Sequence, residues 1–148
     1  PHETYPDWGE VVYTDYRNFN EEALKICVET SDRKVAERIA KSIGDCDFIK
    51  FSDGDWYKFT KASATKAGAL REIAGVLHLI PNEIISFGDD YADIEMLKIC
   101  GRGIAMGNAI DEVKQAADEV TDSNDKDGAA KYLEKYVLNN METENQTV

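Results

Sequence analysis

The sequence predicts an α/β fold whose second half is a parallel, doubly wound layer. Helical and strand patterns alternate strictly from residue 63 onward, which is the order that produces a parallel sheet covered by helices. Within this half an apolar, β-branched run ends abruptly at Gly88, and carboxylates follow it. Residues 21–61 instead have the pattern strand, helix, strand, strand, which predicts a smaller α/β unit before the parallel layer.

The amino-terminal unit is predicted from its caps and turns. Ser31 or Asp32 is positioned to cap a helix, and Gly44 follows that helix as a left-handed end residue would. Turn chemistry explains Asp53 and Asp55 better than a metal pair does, because an Asp-Gly step between two β-prone runs favours a hairpin. The predicted elements are a loop with a short strand at 11–14, a strand at 23–30, a helix at 33–43, and strands at 47–51 and 56–60.

The second half is predicted in the same way. Ser63 or Thr65 caps its first helix, and Gly101 ends its second. His78, among apolar neighbours, is predicted to be a packed imidazole rather than a catalytic one. Residues 139–148 are polar and predicted to fray. The predicted elements are a helix at 66–79, a strand from residue 84, a helix at 91–100, a strand at 103–106, a helix at 111–117, a strand at 118–121 and a helix at 128–138.

The composition excludes several classes of function. The 148 residues include 29 acidic and 17 basic side chains, and the net charge of −12 is unsuited to binding nucleic-acid phosphates. An anionic substrate would therefore need a cation as mediator. No stretch approaches the roughly 18 apolar residues of a membrane span, and the amino end lacks a signal-peptide pattern. Three separated cysteines in apolar runs predict reduced core thiols, so we expect a soluble, cytoplasmic protein without nucleic-acid or membrane partners.

Three aspartates follow the strand that begins at Ile84. Ligands of open α/β sheets bind at the carboxyl ends of strands, so Asp89 and Asp90 stand where a site would be, with Asp93 one helical turn further on. Crowded carboxylates repel one another unless a cation lies between them, and oxygen ligands suit Mg²⁺. Alternatively, Asp90 and Asp93 form an acidic capping box for the next helix. That alternative leaves Asp89 without a structural role, and the local pattern does not decide between the two.

Two further residues point to an anionic ligand. Lys66 lies in the first turn of a helix, where a cation opposes the helix dipole unless an anion binds there. The alternative for Lys66 is a solvated surface lysine. Asn108 follows the strand at 103–106 and, at the same sheet edge as Asp89, would bind a substrate oxygen or else cap the next helix.

Several motifs occur in an order and at a spacing that resemble a known family. They are Lys-Ala-Gly-Ala-Leu at 66–70, Phe-Gly-Asp-Asp-Tyr-Ala-Asp-Ile-Glu-Met-Leu at 87–97, Ile-Ala-Met-Gly-Asn-Ala at 104–109, Ala-Asp-Glu-Val-Thr at 117–121 and Asp-Gly-Ala-Ala at 127–130. They resemble the carboxyl half of Cof-type phosphatases of the haloacid dehalogenase (HAD) superfamily, and linked motifs are more specific than any single one. The resemblance implies an incomplete, Rossmann-like HAD core over residues 62–138, part of an α/β cap over residues 1–61 and a flexible tail over 139–148.

The resemblance also implies a chemistry. In this family a Mg²⁺-dependent aspartyl nucleophile removes phosphate from small phosphorylated metabolites, often sugar phosphates. By motif match, Lys66 would steady the nucleophile and the phosphoryl group, and Asp89 would be a metal ligand. Asp93 would be the second acid, which holds the metal, its water or Lys66. The implied catalytic residues are thus Lys66, Asp89 and Asp93, with Mg²⁺ as the cofactor.

Departures from the family pattern limit this expectation. The Asp-x-Asp-Gly-Thr motif that supplies the nucleophile and general acid is absent from the sequence, and Ala92 replaces a common asparagine. We therefore expect a fragment that is inactive alone. The missing strand would leave the edge at residues 84–87 open, so we expect either a homodimer or a complement by an amino-terminal segment. The alternative function is a non-catalytic module that binds Mg²⁺ or an anion, or that serves assembly.

Overall fold

The computed structural model describes residues 17–18 and 20–139 of the chain. Within them the elements follow the predicted order, strand-helix-strand-strand and then helices alternating with strands. The short strand predicted at 11–14 and all but the first residue of the tail predicted at 139–148 lie outside the described residues. In the described part of the chain, no helix has the length and apolar character needed to cross a bilayer.

The first sheet is antiparallel. It contains β1 (Ile26–Glu29), β2 (Cys46–Lys50) and β3 (Trp56–Lys61) in the order β1-β3-β2, and helix α1 (Arg33–Ile43) connects β1 to β2. Asp32 caps α1 by accepting a hydrogen bond from the Lys34 N–H at 2.9 Å, and Gly44 ends the helix with a φ of 93°. The hairpin turns at Gly54, whose φ is 80°, so the prediction of turn chemistry there is confirmed.

The two faces of this sheet have different surroundings. Tyr57 and Phe59 pack against α1 in a buried cluster, so the helix covers one face. Side chains alternate along a strand, and Lys58 and Thr60 therefore point to the opposite face. Cross-strand partners lie on the same face as one another. What we call the polar face consists of two such pairs, Asp47 with Thr60 and Ile49 with Lys58.

The second sheet is parallel, as the alternation of helices and strands predicts. It contains β4 (Ile85–Gly88), β5 (Arg102–Ala105) and β6 (Glu119–Val120) in that order. The accompanying helices are α2 (Lys66–Leu77), α3 (Ile94–Ile99), α4 (Asp111–Ala116) and α5 (Gly128–Leu133), with 3₁₀ turns at Pro81–Glu83, Tyr91–Asp93 and Asn124–Lys126 and a π-helical segment at Glu134–Leu138. A buried cluster formed by Leu97, Ala105, Ala109 and Val113 joins β5 to α3 and α4. Parallel pairing brings the carboxyl ends of β4 and β5 to one edge, where their loops meet.

Four local predictions differ from the structure. Helix α2 ends at Leu77 because His78 adopts the left-handed conformation with a φ of 57°. The imidazole of His78 is exposed, so the prediction of a packed histidine is wrong. The helix predicted over 91–100 begins as a 3₁₀ turn and becomes α-helical only three residues later. The three cysteines are free, but only Cys100 is buried, whereas Cys46 is partly buried and Cys27 is exposed on the edge strand β1. The prediction of a core thiol is therefore wrong for Cys27.

An apolar surface is open beside strand β4. In the part of the chain that the structure describes, β4 pairs with β5 on one side and has no partner on the other. A groove of about 470 Å³ lies between α2 and the residue before β4, and we call it the α2 groove. Ile73 and Leu77 are each 59% exposed there, although apolar side chains of a helix normally face a core. Its lining is formed mainly by Leu70, Ile73, Leu77, Leu79, Ile84 and Met96, and Lys66 lies at its border.

Glycine is required at position 101 by a close approach of two backbone segments. The Gly101 N–H donates a hydrogen bond to the carbonyl of Pro81 at 2.8 Å. A Cβ at Gly101 would lie 2.1 Å from the carbonyl oxygen of Asn82. By contrast, a Cβ at Gly75 within α2 would have no atom within 4 Å. Gly101 was predicted from the sequence as the residue that ends a helix, and it does follow α3. Glycine is needed there because of the contact with the Asn82 backbone, not because of a left-handed helix end.

These two glycines give a stability prediction with opposite signs. We expect Gly101→Ala to destabilise the fold by about 1–3 kcal/mol, because the new methyl group forces the Asn82 backbone to move. We expect Gly75→Ala to stabilise it by about 0.5–1 kcal/mol, because alanine favours the helix. Urea unfolding followed by circular dichroism measures both free energies. Equal and small effects at the two positions would contradict the close contact at Gly101.

Candidate active site

The candidate site lies where helix α2 begins and strand β4 ends. Thr65 caps α2, since its Oγ1 accepts a hydrogen bond from the Gly68 N–H at 2.9 Å, and Lys66 is the first residue of the helix. The Nζ of Lys66 donates a hydrogen bond to Oδ1 of Asp93 in the turn after β4. Two residues predicted from sequence to share a site, 27 positions apart, are therefore in direct contact. Lys66 is more than half exposed, so it is a surface lysine, as in the alternative interpretation, but one that is paired with a buried carboxylate.

Asp93 is the buried centre of this site. Its side chain is only 2% exposed, and a buried carboxylate is costly unless it is paired and hydrogen-bonded. Its Oδ2 accepts hydrogen bonds from the backbone N–H groups of Asp89 and Asp90, at 3.0 and 3.2 Å. Its Oδ1 accepts from Lys66. Both oxygens are thus engaged within the chain, and a role for Asp93 as metal ligand stays a prediction.

The turn after β4 is also a capping structure. Asp90 accepts a hydrogen bond from the Tyr91 N–H at 2.7 Å and forms the predicted capping box with Asp93. The hydroxyl of Tyr91 donates a hydrogen bond to Glu112 at 3.0 Å, which raises the pKa of the Tyr91 phenol above its ordinary value. A Cβ at Gly88 would lie 2.4 Å from the Cβ of Asp93. The turn therefore leaves room for the buried carboxylate only if residue 88 is glycine.

Asn108 orients Asp89 rather than capping a helix. Its Nδ2 donates a hydrogen bond to Oδ2 of Asp89 at 3.1 Å, and its Oδ1 accepts one from the Asn124 N–H at 2.9 Å. The residue before helix α4 is Ile110, so the capping alternative for Asn108 is wrong. The Ile110 N–H also donates to the backbone carbonyl of Asp89 at 3.2 Å. The loop after β5 thus contacts Asp89 through a side chain and through a backbone N–H. No pattern in the sequence indicates that Asn124 takes part.

The donors at this edge fit Mg²⁺ in part. Asp89 is exposed, and one of its carboxylate oxygens accepts no hydrogen bond from the described residues. Within residues 17–18 and 20–139, no group of three or more His, Cys, Asp or Glu side chains is arranged to hold a metal. Mg²⁺ commonly takes only one or two carboxylates and fills its other positions with water and substrate phosphate. Asp89 therefore suits this cation as a single protein ligand and would hold it together with other donors.

The polar face of the first sheet lies over this site. A cavity of about 70 Å³ separates Ile49, Lys58 and Thr60 of that face from Lys66 and Ala92. Lys58 and Thr60 were not predicted from the sequence to lie at the site. Their alternation with the buried Tyr57 and Phe59 was visible in the sequence, but it shows only that they leave the core. Which surface they face depends on how the two sheets pack, and local sequence does not specify that.

Comparison with known proteins identifies related sequences over most of the chain. Residues 9–133 match the family model of haloacid dehalogenase-like hydrolases. A putative phosphatase of Haemophilus influenzae is 43% identical over 84 residues, which cover 57% of this chain and 32% of that protein. The 5-amino-6-(5-phospho-D-ribitylamino)uracil phosphatase YitU of Bacillus subtilis is 43% identical over 76 residues, which cover 51% of this chain and 28% of that protein. The chain thus spans about a third of the length of these relatives.

Solved structures show the same relationship in three dimensions. A HAD-superfamily phosphatase from Bacteroides thetaiotaomicron is 30% identical, with a TM-score of 0.69 over 78% of this chain and 42% of that one. A subclass IIB sugar phosphatase of the same superfamily is also 30% identical, with a TM-score of 0.67 over 79% of this chain and 44% of that one. The predicted HAD-like α/β fold is therefore confirmed.

The buried carboxylate gives a second stability prediction. We expect Asp93→Asn to destabilise the fold by about 1–3 kcal/mol, because an amide cannot accept from two backbone N–H groups and Lys66 at once. The control is Glu95→Gln, the same chemical change in α3, which removes an exposed ion pair with Arg71 and should cost at most about 0.5 kcal/mol. Urea unfolding of both variants measures the difference. Equal costs would mean that Asp93 does not hold the turn together.

Proposed function

Because the chain belongs to the haloacid dehalogenase-like hydrolase family, we propose that it carries the lysine and metal-binding half of a phosphatase site. The observation that supports this most strongly is the ion pair of Lys66 with Asp93, formed next to Asp89 at the carboxyl edge of β4. Lys66 comes from the start of α2, and Asp89 and Asp93 come from the segment after β4, so residues from two elements meet as a shared site requires. Capping alone would account for Asp90 and Asp93 but not for the approach of Lys66.

Lys66 is proposed to bind a phosphoryl oxygen of the substrate. Its side chain is 55% exposed although it is paired with Asp93, so the ammonium keeps hydrogen atoms available for a ligand. The start of α2 adds the positive end of the helix dipole. Phosphoryl transfer depends mainly on positioning and charge stabilisation. Asp93 would act as a positioning residue, because it fixes the ammonium before the substrate arrives.

Asp89 is the proposed metal ligand, and Asn108 is proposed to orient it. Bound Mg²⁺ would supply neutralisation of charge on the transferred phosphoryl group. Asn108 donates a hydrogen bond to one carboxylate oxygen of Asp89, so Asn108 would limit the rotation of the Asp89 side chain while the other oxygen stays available for the metal. This assigns Asn108 to positioning, where the sequence suggested direct contact with a substrate oxygen.

The nucleophile is proposed to come from a segment that this sequence does not contain. No Asp-x-Asp-Gly-Thr motif occurs in the chain, and the related proteins are about three times longer than the matched region. The α2 groove and the free edge of β4 are apolar and unpaired among the described residues, and Lys66 lies at the border of that groove. A segment that covered the groove would therefore end beside the Lys66 ammonium. We propose that the amino-terminal half of the family fold occupies this position.

The proposed substrates are small phosphorylated metabolites, with sugar phosphates as the favoured class. The sugar phosphatase among the similar structures supports that class, and the reaction would proceed through an aspartyl phosphate. A second candidate is a non-catalytic module that binds Mg²⁺ or an anion. The lack of the nucleophile motif in the sequence favours it, and measurements of binding and turnover distinguish the two functions.

Binding of magnesium and phosphate tests the proposed roles. In amide NMR titrations with inorganic phosphate at fixed Mg²⁺, we expect Lys66→Met to weaken phosphate binding by about tenfold, because a charge-assisted hydrogen bond is lost. We expect Asp89→Asn to abolish Mg²⁺ binding. The control is Lys98→Met, which removes an exposed lysine of α3 and should change neither affinity. Unchanged Mg²⁺ binding in Asp89→Asn would refute the metal assignment.

Turnover tests the origin of the nucleophile. We expect the 148-residue chain to hydrolyse p-nitrophenyl phosphate no faster than buffer, and to gain hydrolysis when mixed with a polypeptide that carries the Asp-x-Asp-Gly-Thr half of a relative. Hydrolysis by the chain alone would require another nucleophile.

Sedimentation equilibrium tests which molecule covers the α2 groove. A stable homodimer would identify a second copy of the chain as the occupant. A monomer at high concentration that does not bind the added half would contradict the docking proposal.

A further inference from the structure

We propose that the loop after strand β6 controls the metal affinity of the site through the backbone N–H of Asn124. We call residues 121–128 the β6 loop. The N–H of Asn124 holds the side chain of Asn108, and Asn108 in turn holds the carboxylate of Asp89. This inference rests on the metal-binding role proposed above for Asp89. It adds Asn124 as a positioning residue, which acts on the metal ligand through another side chain.

The side chain of Asn108 connects the two ends of this chain of hydrogen bonds. Its Oδ1 accepts from the Asn124 N–H at 2.9 Å, and its Nδ2 donates to Oδ2 of Asp89 at 3.1 Å. A backbone N–H can only donate, so it selects the amide oxygen, and a carboxylate can only accept, so it selects the amide nitrogen. The two partners therefore favour the same orientation of the amide group, and a rotation of the side chain would break both bonds.

The β6 loop is packed closely enough to place this donor. The Gly107 N–H donates a hydrogen bond to the carbonyl of Asp122 at 3.1 Å, which joins the loop after β5 to the β6 loop. A Cβ at Gly107 would lie 2.7 Å from the backbone nitrogen of Ser123. Within the β6 loop, Oγ1 of Thr121 donates to the carbonyl of Gly128 at 2.8 Å. The spacing of the two loops is therefore set by the backbone, and the donor is in place before any ligand binds.

The N–H of Asn124 is free to serve the site because of its position in the 3₁₀ turn Asn124–Lys126. It belongs to the first residue of that turn, and the first N–H groups of a helix have no partner within it. Proline is tolerated at this position. The preceding residue, Ser123, has a φ of −67° and a ψ of 165°, which is the conformation that proline favours in the residue before it. Asn124→Pro would therefore remove the donor and keep the turn.

The experiment is a double-mutant cycle of Asn124→Pro and Asn108→Ala, in which amide NMR titrations of the full chain give the Mg²⁺ affinity. We expect each single variant to weaken Mg²⁺ binding by about threefold, because each releases the Asp89 side chain from one exposed hydrogen bond. The double variant should bind Mg²⁺ as Asn108→Ala alone does. The two effects are not additive in this proposal, because Asn124 acts only through Asn108.

A second measurement needs no metal. NMR relaxation of the side-chain amide of Asn108 should show an ordered group in the wild-type chain and a mobile group in Asn124→Pro. The control is Ser123→Ala, in the same loop, whose hydroxyl makes no capping hydrogen bond; it should change neither the relaxation nor the Mg²⁺ affinity. If Asn124→Pro does not fold, an ester oxygen in place of the Asn124 N–H removes the same donor without a ring and should give both results.

The possible outcomes separate this inference from the proposed function. An Mg²⁺ affinity that Asn124→Pro or the ester leaves unchanged would overturn the inference, whether or not Asn108 becomes mobile. Additive losses in the double variant would also overturn it, because the β6 loop would then act by another route. So would stronger Mg²⁺ binding, since the released amide oxygen would then be a ligand. Absence of Mg²⁺ binding by the wild-type chain would instead refute the metal site proposed above.

Discussion

The geometry of the candidate site depends on one buried carboxylate. Asp93 has lost nearly all contact with solvent, and its charge is tolerated because two backbone N–H groups and an ammonium surround it. These three donors belong to the turn after β4 and to the start of α2. A single side chain therefore sets the distance between the strand edge and the helix, and neither segment can shift without leaving a buried charge unpaired. Gly88 is part of the same constraint, since only glycine leaves space for the carboxylate.

Capping and site formation are therefore not competing explanations of these aspartates. The capping box places Asp93 at the third position of the 3₁₀ turn, and that placement directs its second oxygen toward Lys66. The turn stabilises itself and holds the ammonium with the same atoms. Such an arrangement is preorganised, because the chain has already ordered the lysine side chain before any ligand binds. The local pattern could not separate capping from a site because Asp93 both closes the capping box and contacts Lys66. A role for Asp93 as metal ligand stays a prediction.

The features that were predicted correctly from the sequence depend on interactions between residues that are close together in the chain. The alternation of helices and strands, the Asp32 and Thr65 caps and the glycine turns depend on neighbouring residues, and the structure contains them. The motif match also identified Lys66 and Asp93 as neighbours. It did not predict that Asn108 would bind Asp89, because that contact depends on the path of the loop after β5 and on Asn124. Nor did it find Lys58, whose relation to the site depends on how the two sheets pack together.

Lys66 lies at the junction of two openings. It borders the apolar α2 groove on one side and the polar cavity under the first sheet on the other. The groove exposes leucine and isoleucine side chains that water solvates poorly, so burial by another segment would be favourable. The cavity offers charge and hydroxyl groups, which suit a polar ligand instead. The two surfaces thus differ in the kind of molecule that they can bind, and the ammonium between them is where a covering segment and a phosphorylated ligand would meet.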